Sequence, residues 1–125
     1  MEIQIIGKQA DMVQVRSPIG CFNGTWCSST PVISKRYIVE LDSADVINLA
    51  VIERSDSCSP HIEYLDQAIN ITGFVEEIQD KVMVLRLLNS LMMLEISSNS
   101  DFAQYIGHYV NVRMSEIRLY DTGIY

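Results

Sequence analysis

Two of the three cysteines, the single tryptophan and two glycines share the stretch GCFNGTWCSSTP, residues 20–31. With Cys58 and His61 from a second Ser/Pro-rich stretch, Cys21 and Cys27 make a potential Cys3His set for zinc. Structural zinc takes four tetrahedral ligands, which come as closely spaced pairs. The second pair, C-x2-H, fits that habit, but the first, C-x5-C, is wider than usual. A small cysteine is also a common apolar filler. The spacing therefore predicts no metal site and no cofactor. A nucleophilic thiol needs a base within hydrogen-bond reach and a third group to orient that base. No local pattern supplies either from His61 or His108. Carboxylates lie close together at Asp42 and Asp45, Asp56 and Glu63, and Glu76 and Glu77. Paired-acid hydrolysis needs a fixed separation inside a cleft, whereas these fall at turns and solvent-facing strand positions. The chain has no phosphate-cradling glycine loop and no calcium loop. It reads as a protein without enzymatic activity.

Charge points more clearly. Net charge is −7 over 125 residues, but the excess is local. Residues 1–36 carry +2, residues 37–80 carry −9 and residues 81–125 balance at 0. Such a central block attracts basic partners and repels polyanions. The length suits one domain, and 48% hydrophobic residues supply a core. An odd cysteine count, no signal-like start and no long apolar run lead to the expectation of a cytoplasmic protein with reduced thiols, away from membranes.

The elements that must hold these residues are mostly strands. EIQIIG and MVQVRS flank a turn at Lys8–Asp11, and KRYIVELD alternates with Tyr37, Val39 and Leu41 on one face. VINLAVIE is a β-branched run, and RSDSCSP is a loop. GCFNGTWCSSTP itself reads as a loop, with Asn23–Gly24 as its turn. AINITGFVEEI is a long strand with a bulge or bend at Gly73. KVMVLRLL and LMMLEIS follow, joined at Asn89–Ser90. A short helix is predicted near 100–106, with Ser100 as N-cap and Gly107 as stop. HYVNVRM and EIRLYD close the chain as strands. An echo at an offset of 36 links Val39-Glu40, Val46 and Leu49 with Val75-Glu76, Val82 and Leu85.

Residues 68–121 thus run strand, strand, strand, short helix, strand, strand, with a glycine inside the first. This order resembles an OB-type β-barrel. The resemblance implies an antiparallel, mainly β domain spanning 1–125, with the barrel-like part at 68–121 and additional strands and loops in 1–60. A β-sandwich is the competing architecture. OB barrels often bind nucleic acid, and Tyr105, Tyr109, Tyr120 and Tyr125 offer stacking faces. The cations there, Lys81, Arg86, Arg113 and Arg118, are matched by four acids within residues 81–125 alone, which disfavours a nucleic-acid groove.

Small, acidic and β-rich, without a catalytic constellation, the chain is similar in profile to the immunity proteins of bacterial toxin systems; the closing IRLYDTGIY is a further hint. That resemblance implies neutralisation of a basic protein, possible examples being nuclease toxins. Asp42, Asp45, Glu53, Asp56, Glu63 and Asp66 would meet the partner's basic groups, with Phe22 and Trp26 as anchors. The alternatives are an OB-type nucleic-acid-binding protein and an accessory, oligomer-forming subunit.

Overall fold

In the computed structural model, which describes residues 1–123, both halves of the chain begin with the same kinked hairpin. Strand β1 (Glu2–Gln9) pairs antiparallel with β2 (Met12–Ser17), and its register slips between Ile5 and Gly7. Strand β8 (Ala68–Gln79) pairs with β9 (Val82–Leu87), and its register slips between Val75 and Glu77. Each pair of the second hairpin lies 70 positions after its counterpart in the first: Ile5 faces Val15 and Val75 faces Leu85; Gly7 faces Gln14 and Glu77 faces Val84. A bulge adds one residue to one strand and sharpens the twist, which curls the sheet toward closure. The turns start alike, Ala10 and Asp80 both having a φ of 54°, but Lys81 then keeps a positive φ of 61° where Asp11 does not.

The correspondence continues along the chain. Strand β3 (Gly20–Trp26) pairs with β2 in the register by which β10 (Ser90–Ile96) pairs with β9, again 70 positions apart. Strand β4 (Arg36–Asp42) returns to β1 as β11 (Tyr109–Met114) returns to β8. Here Arg36 faces Gln4 while Tyr109 faces Phe74, so the offset has grown to 73. The helical connection before β11 accounts for the growth. It holds α1 (Asn99–Phe102), followed by one tighter turn at Ala103–Tyr105.

The closing strands are exchanged between the halves. After β4 the chain enters β5 (Val46–Ile47), which runs parallel to β10, and then β6 (Ile52–Arg54), which pairs with β11. After β11 it enters β12 (Arg118–Asp121), which runs parallel to β3 and antiparallel to β4. The result is a closed five-stranded barrel in the order β1-β2-β3-β12-β4, beside a second sheet in the order β5-β10-β9-β8-β11-β6. That second order starts and ends on two pieces of one interrupted segment. Strand β7 (His61–Leu65) adds to β8 at its start. One continuous apolar cluster, from Ile3 and Ile5 through Leu85 and Leu94 to Leu119, fills both halves.

The protein is mainly β with one short helix, as its periodicity predicts, and the closed barrel is compatible with an OB-like arrangement. Several details differ. The closed barrel belongs to the N-terminal strands completed by β12, not to residues 68–121 alone, because the chain's last strand crosses over. The internal repeat lies at 70–73 positions, not 36. The N-cap of α1 is Ser98, whose hydroxyl accepts from the Asp101 amide at 3.4 Å, so the helix starts two residues early. Gly107, predicted as the stop, has a φ of 81° but lies past the end: α1 stops at Phe102 and the tighter turn at Tyr105. The run VINLAVIE breaks at a tight turn, Leu49–Val51, whose lead residue Asn48 accepts from the Ala50 amide at 2.9 Å. The bulge of β8 sits beyond Gly73, and Gly73 has another task. A Cβ there would lie 2.7 Å from Leu85 Cγ and 2.9 Å from Leu87 Cδ2.

The two linkers that carry the exchanged strands, 43–45 and 115–117, bind each other. The Asp45 carboxylate accepts from the Ser115 amide at 2.7 Å and from its hydroxyl at 2.8 and 3.0 Å. Glu116 accepts from the Ala44 amide at 3.2 Å and from Arg118 Nε at 3.0 Å. Tyr125, one of the stacking aromatics named from sequence, lies outside the described residues.

Candidate functional site

GCFNGTW is a strand, and its period of two decides where its residues point. Phe22, Gly24 and Trp26 face the barrel interior, while Cys21 and Asn23 face solvent. Phe22 is 2% exposed and Trp26 6%. The indole packs edge-on against Tyr37 with ring centroids 4.9 Å apart and donates its N–H to the Ser29 carbonyl. This corrects the reading of both residues as partner anchors. Their rings are part of the core, and a partner cannot reach them. The Asn23–Gly24 pair, a frequent turn signal, here lies inside a strand. Gly24 is small because Leu119 of the exchanged strand passes 2.9 Å from where its Cβ would be.

Cys21, Cys27 and Cys58 are free and exposed. Among the described residues no three His, Cys, Asp or Glu side chains converge in a way that could hold a metal ion. His61 lies on β7 and reaches Glu63 at 3.5 Å, both being about half exposed.

The acids named from sequence fall into two groups. Glu53, Glu63 and Asp66 are gathered by the second sheet. In one row across it, Glu53 on β6 faces Asn111 on β11, which faces Thr72 on β8, which faces His61 on β7. In the next row on the same face, Arg113 meets Asn70, and Asn70 meets Glu63. Thr72 donates to Asn111 Oδ1 at 2.6 Å, and Arg113 donates to the Asp66 carbonyl at 3.4 Å. Asp56 belongs to the exposed loop leaving β6, which the Ser55 amide ties to the Tyr109 carbonyl at 2.9 Å. A shallow hollow of about 270 Å³ lies here, bounded by Ala50 to Glu53, Asn70, Asn111 and Arg113. All three gathered acids are solvent-exposed. Among the described residues, none of their carboxylates is held by a cation other than the 3.5 Å approach of His61 to Glu63.

Asp42 and Asp45 lie elsewhere, at the linker crossing. Asp45 is occupied by Ser115, so its carboxylate holds the strand exchange together rather than standing ready for a partner. Asp42 pairs in register with Arg118 on β12. The Arg118 guanidinium is held above its ordinary pKa by its hydrogen bond with Tyr120 and then by the Glu116 carboxylate. On β9 of the second sheet Arg86 is likewise raised, by its hydrogen bond to Glu76. Sequence reasoning passed over Glu40, Leu91 and Met93, which stand exposed near Asp42. Leu91 and Met93 carry a signal in alternation: they are the odd positions of LMMLEIS, opposite in phase to the buried Met92 and Leu94.

No helix among the described residues is long and apolar enough to cross a membrane. No family model, curated protein or solved structure matches the chain.

Proposed function

We propose that the chain is a non-enzymatic protein-binding module that neutralises a basic partner through its acidic surface, in the manner of an immunity protein. The observation that carries the reading is the gathering of Glu53, Glu63 and Asp66 on one exposed face, with Asp56 in the adjoining loop. Complementary charge raises association rates and fixes orientation, and its effect falls with salt. Carboxylates left largely unpaired at the surface suit that role, because little internal ion pairing is broken on binding.

The test begins with capture of basic proteins from lysate at low salt and their release at high salt. The association rate of the captured partner is then measured against wild type and against the Glu53→Gln, Glu63→Gln, Asp66→Asn variant. The expected result is a rate lowered about tenfold at low salt, with a shallower salt dependence, since close steering charges govern the association rate. An unchanged rate with an unchanged salt slope counts against this face. Capture of single-stranded nucleic acid in place of protein would favour the OB-type alternative.

A further inference from the structure

The two matched halves act as a control for each other. Core side chains can trade volume between neighbours, but an outward side chain has no such trade, so one that the shared backbone plan requires should recur at the matched position, and a difference on the outside is free to serve something else. On β10, Leu91 and Met93 point outward and are 46% and 60% exposed. Their counterparts 70 positions earlier on β3 are Cys21 and Asn23, equally outward. The cross-strand settings agree as well: Leu91 faces Arg86 and Cys21 faces Arg16. The barrel therefore does not need large apolar side chains at these sites. The neighbouring strand differs in the same way. Glu40 and Asp42 on β4 match Arg113 and Ser115, which follow 73 positions later.

These residues meet in one place. Glu40, Leu41, Asp42, Leu91, Met93 and Tyr120 line a groove of about 520 Å³ where β10 passes β4. Leu41 is its buried floor, and Tyr120, 36% exposed, stands opposite Glu40 in register. The volume is within the range of built ligand sites, about 300–1,000 Å³. Methionine adapts its shape to varied partners, and tyrosine gives rigid amphipathic contact. Two basic groups lie near. Arg118 is engaged by Tyr120 and Glu116, and the Met1 ammonium donates to the Val39 carbonyl at 2.9 Å close to Glu40.

We propose that this groove docks a basic polypeptide segment, its Lys or Arg side chains meeting Glu40 and Asp42 while an apolar side chain between them rests on Leu91, Met93 and Tyr120. The proposal rests on the reading of the chain as a binder of basic protein and places a second contact surface apart from Glu53, Glu63 and Asp66.

The probe is a labelled Lys/Arg-rich peptide with interspersed Leu and Phe, read by fluorescence anisotropy. A version with Ser at the Leu and Phe positions keeps the charge. The first peptide should bind at least about tenfold more tightly than the second, the effect of one good anchor. Leu91→Asn with Met93→Asn should abolish that preference, whereas Cys21→Ser with Asn23→Ser should leave it. Glu40→Gln with Asp42→Asn should weaken both peptides and flatten their salt dependence. Thermal unfolding verifies each fold, and Met93→Asn alone serves if the double variant does not fold. Equal binding of both peptides by wild type, or no binding at low salt, overturns the proposal. So does a preference that survives the Leu91/Met93 change, or a dimer in sedimentation that Met93→Asn dissolves, since the occupant is then a second copy. The acidic-face reading is judged separately: it falls only if the captured partner's association ignores Glu53→Gln, Glu63→Gln, Asp66→Asn.

Discussion

Replacing Gly73 by alanine probes how one backbone plan accommodates two different cores. Gly73 occupies the place that Ile3 occupies in the other half, 70 positions earlier. Around Ile3 the matched positions hold Val15 and Ser17; around Gly73 they hold Leu85 and Leu87. The bulk has moved from one strand to its neighbour. A Cβ on Gly73 would meet Leu85 Cγ at 2.7 Å, Leu87 Cδ2 at 2.9 Å and the Arg86 carbonyl oxygen at 3.0 Å. The leucines are fully buried and the carbonyl is backbone, so little can yield. Overpacking of this kind costs about 1–3 kcal/mol. Alanine also restricts the unfolded chain, which returns about 0.4–1 kcal/mol. The net expectation is a loss of about 0.5–2 kcal/mol, or roughly 2–10 °C in Tm for a chain of this size. Urea and thermal unfolding by circular dichroism measure it. Leu87→Ala alone should cost about 2–5 kcal/mol through a cavity. Combined with Gly73→Ala it should cost less than the sum by more than about 0.5 kcal/mol, because the new methyl enters the space vacated. A Gly73→Ala protein as stable as wild type, or strict additivity of the pair, would refute the account of Gly73 as a space-maker.

Ile3→Ala at the matched site should also destabilise, by about 2–5 kcal/mol, but through a cavity, and no second truncation nearby should rescue it. Trp26→Ala should lower stability by about 3–5 kcal/mol in urea titration, while Trp26→Phe, keeping the contact with Tyr37, should cost less. Asp45→Ala removes the acceptor for Ser115 and should cost about 1–3 kcal/mol by thermal unfolding without slowing association of a basic partner. Because each half is completed by a strand of the other, unfolding should be one transition, with coincident fluorescence and circular dichroism curves.

How much of this was legible in the sequence depends on whether the determinant was local. Alternation puts Tyr37, Val39 and Leu41 on one face of their strand and Val110, Val112 and Met114 on one face of theirs, and the structure buries all six. Those strands declare themselves because one face is core and the other is wet. The strand Gly20–Trp26 hides the same alternation behind Asn23–Gly24. Asn-Gly is a turn signal only where the chain is free to turn, and Leu119 from the far end of the chain requires the glycine for a different reason. Strand β7 was missed because His61 to Leu65 buries only Ile62. The candidate site fared likewise. Charge marks the acidic block, but whether an acid in it is free depends on its neighbours in space. Asp45 is claimed by Ser115, 70 residues away. Glu53, Glu63 and Asp66 become one face only once β6, β7, β8 and β11 stand side by side.

The exchanged strands also explain why the repeat leaves so faint a trace in the residues. Had each half closed on its own last strand, each core would have been optimised alone, and matched positions would face similar demands. Exchange ties the cores together through Ile47 and Leu119, which occupy matched places while differing in shape. Ile47 pairs with Ile96, on the strand that buries Leu94; Leu119 pairs with Trp26 and passes close to Gly24. A bulky tryptophan with a glycine on one side answers two aliphatic side chains on the other. Packing to constant density permits this trade wherever total volume is kept. Hydrogen-bond register allows no such trade, since a slip of one residue would turn every inward side chain outward. The two halves therefore share their pairing pattern and the bulge of the first hairpin, while their side chains differ. The outward positions are bound by neither rule, and there Leu91 and Met93 stand beside Glu40 and Asp42.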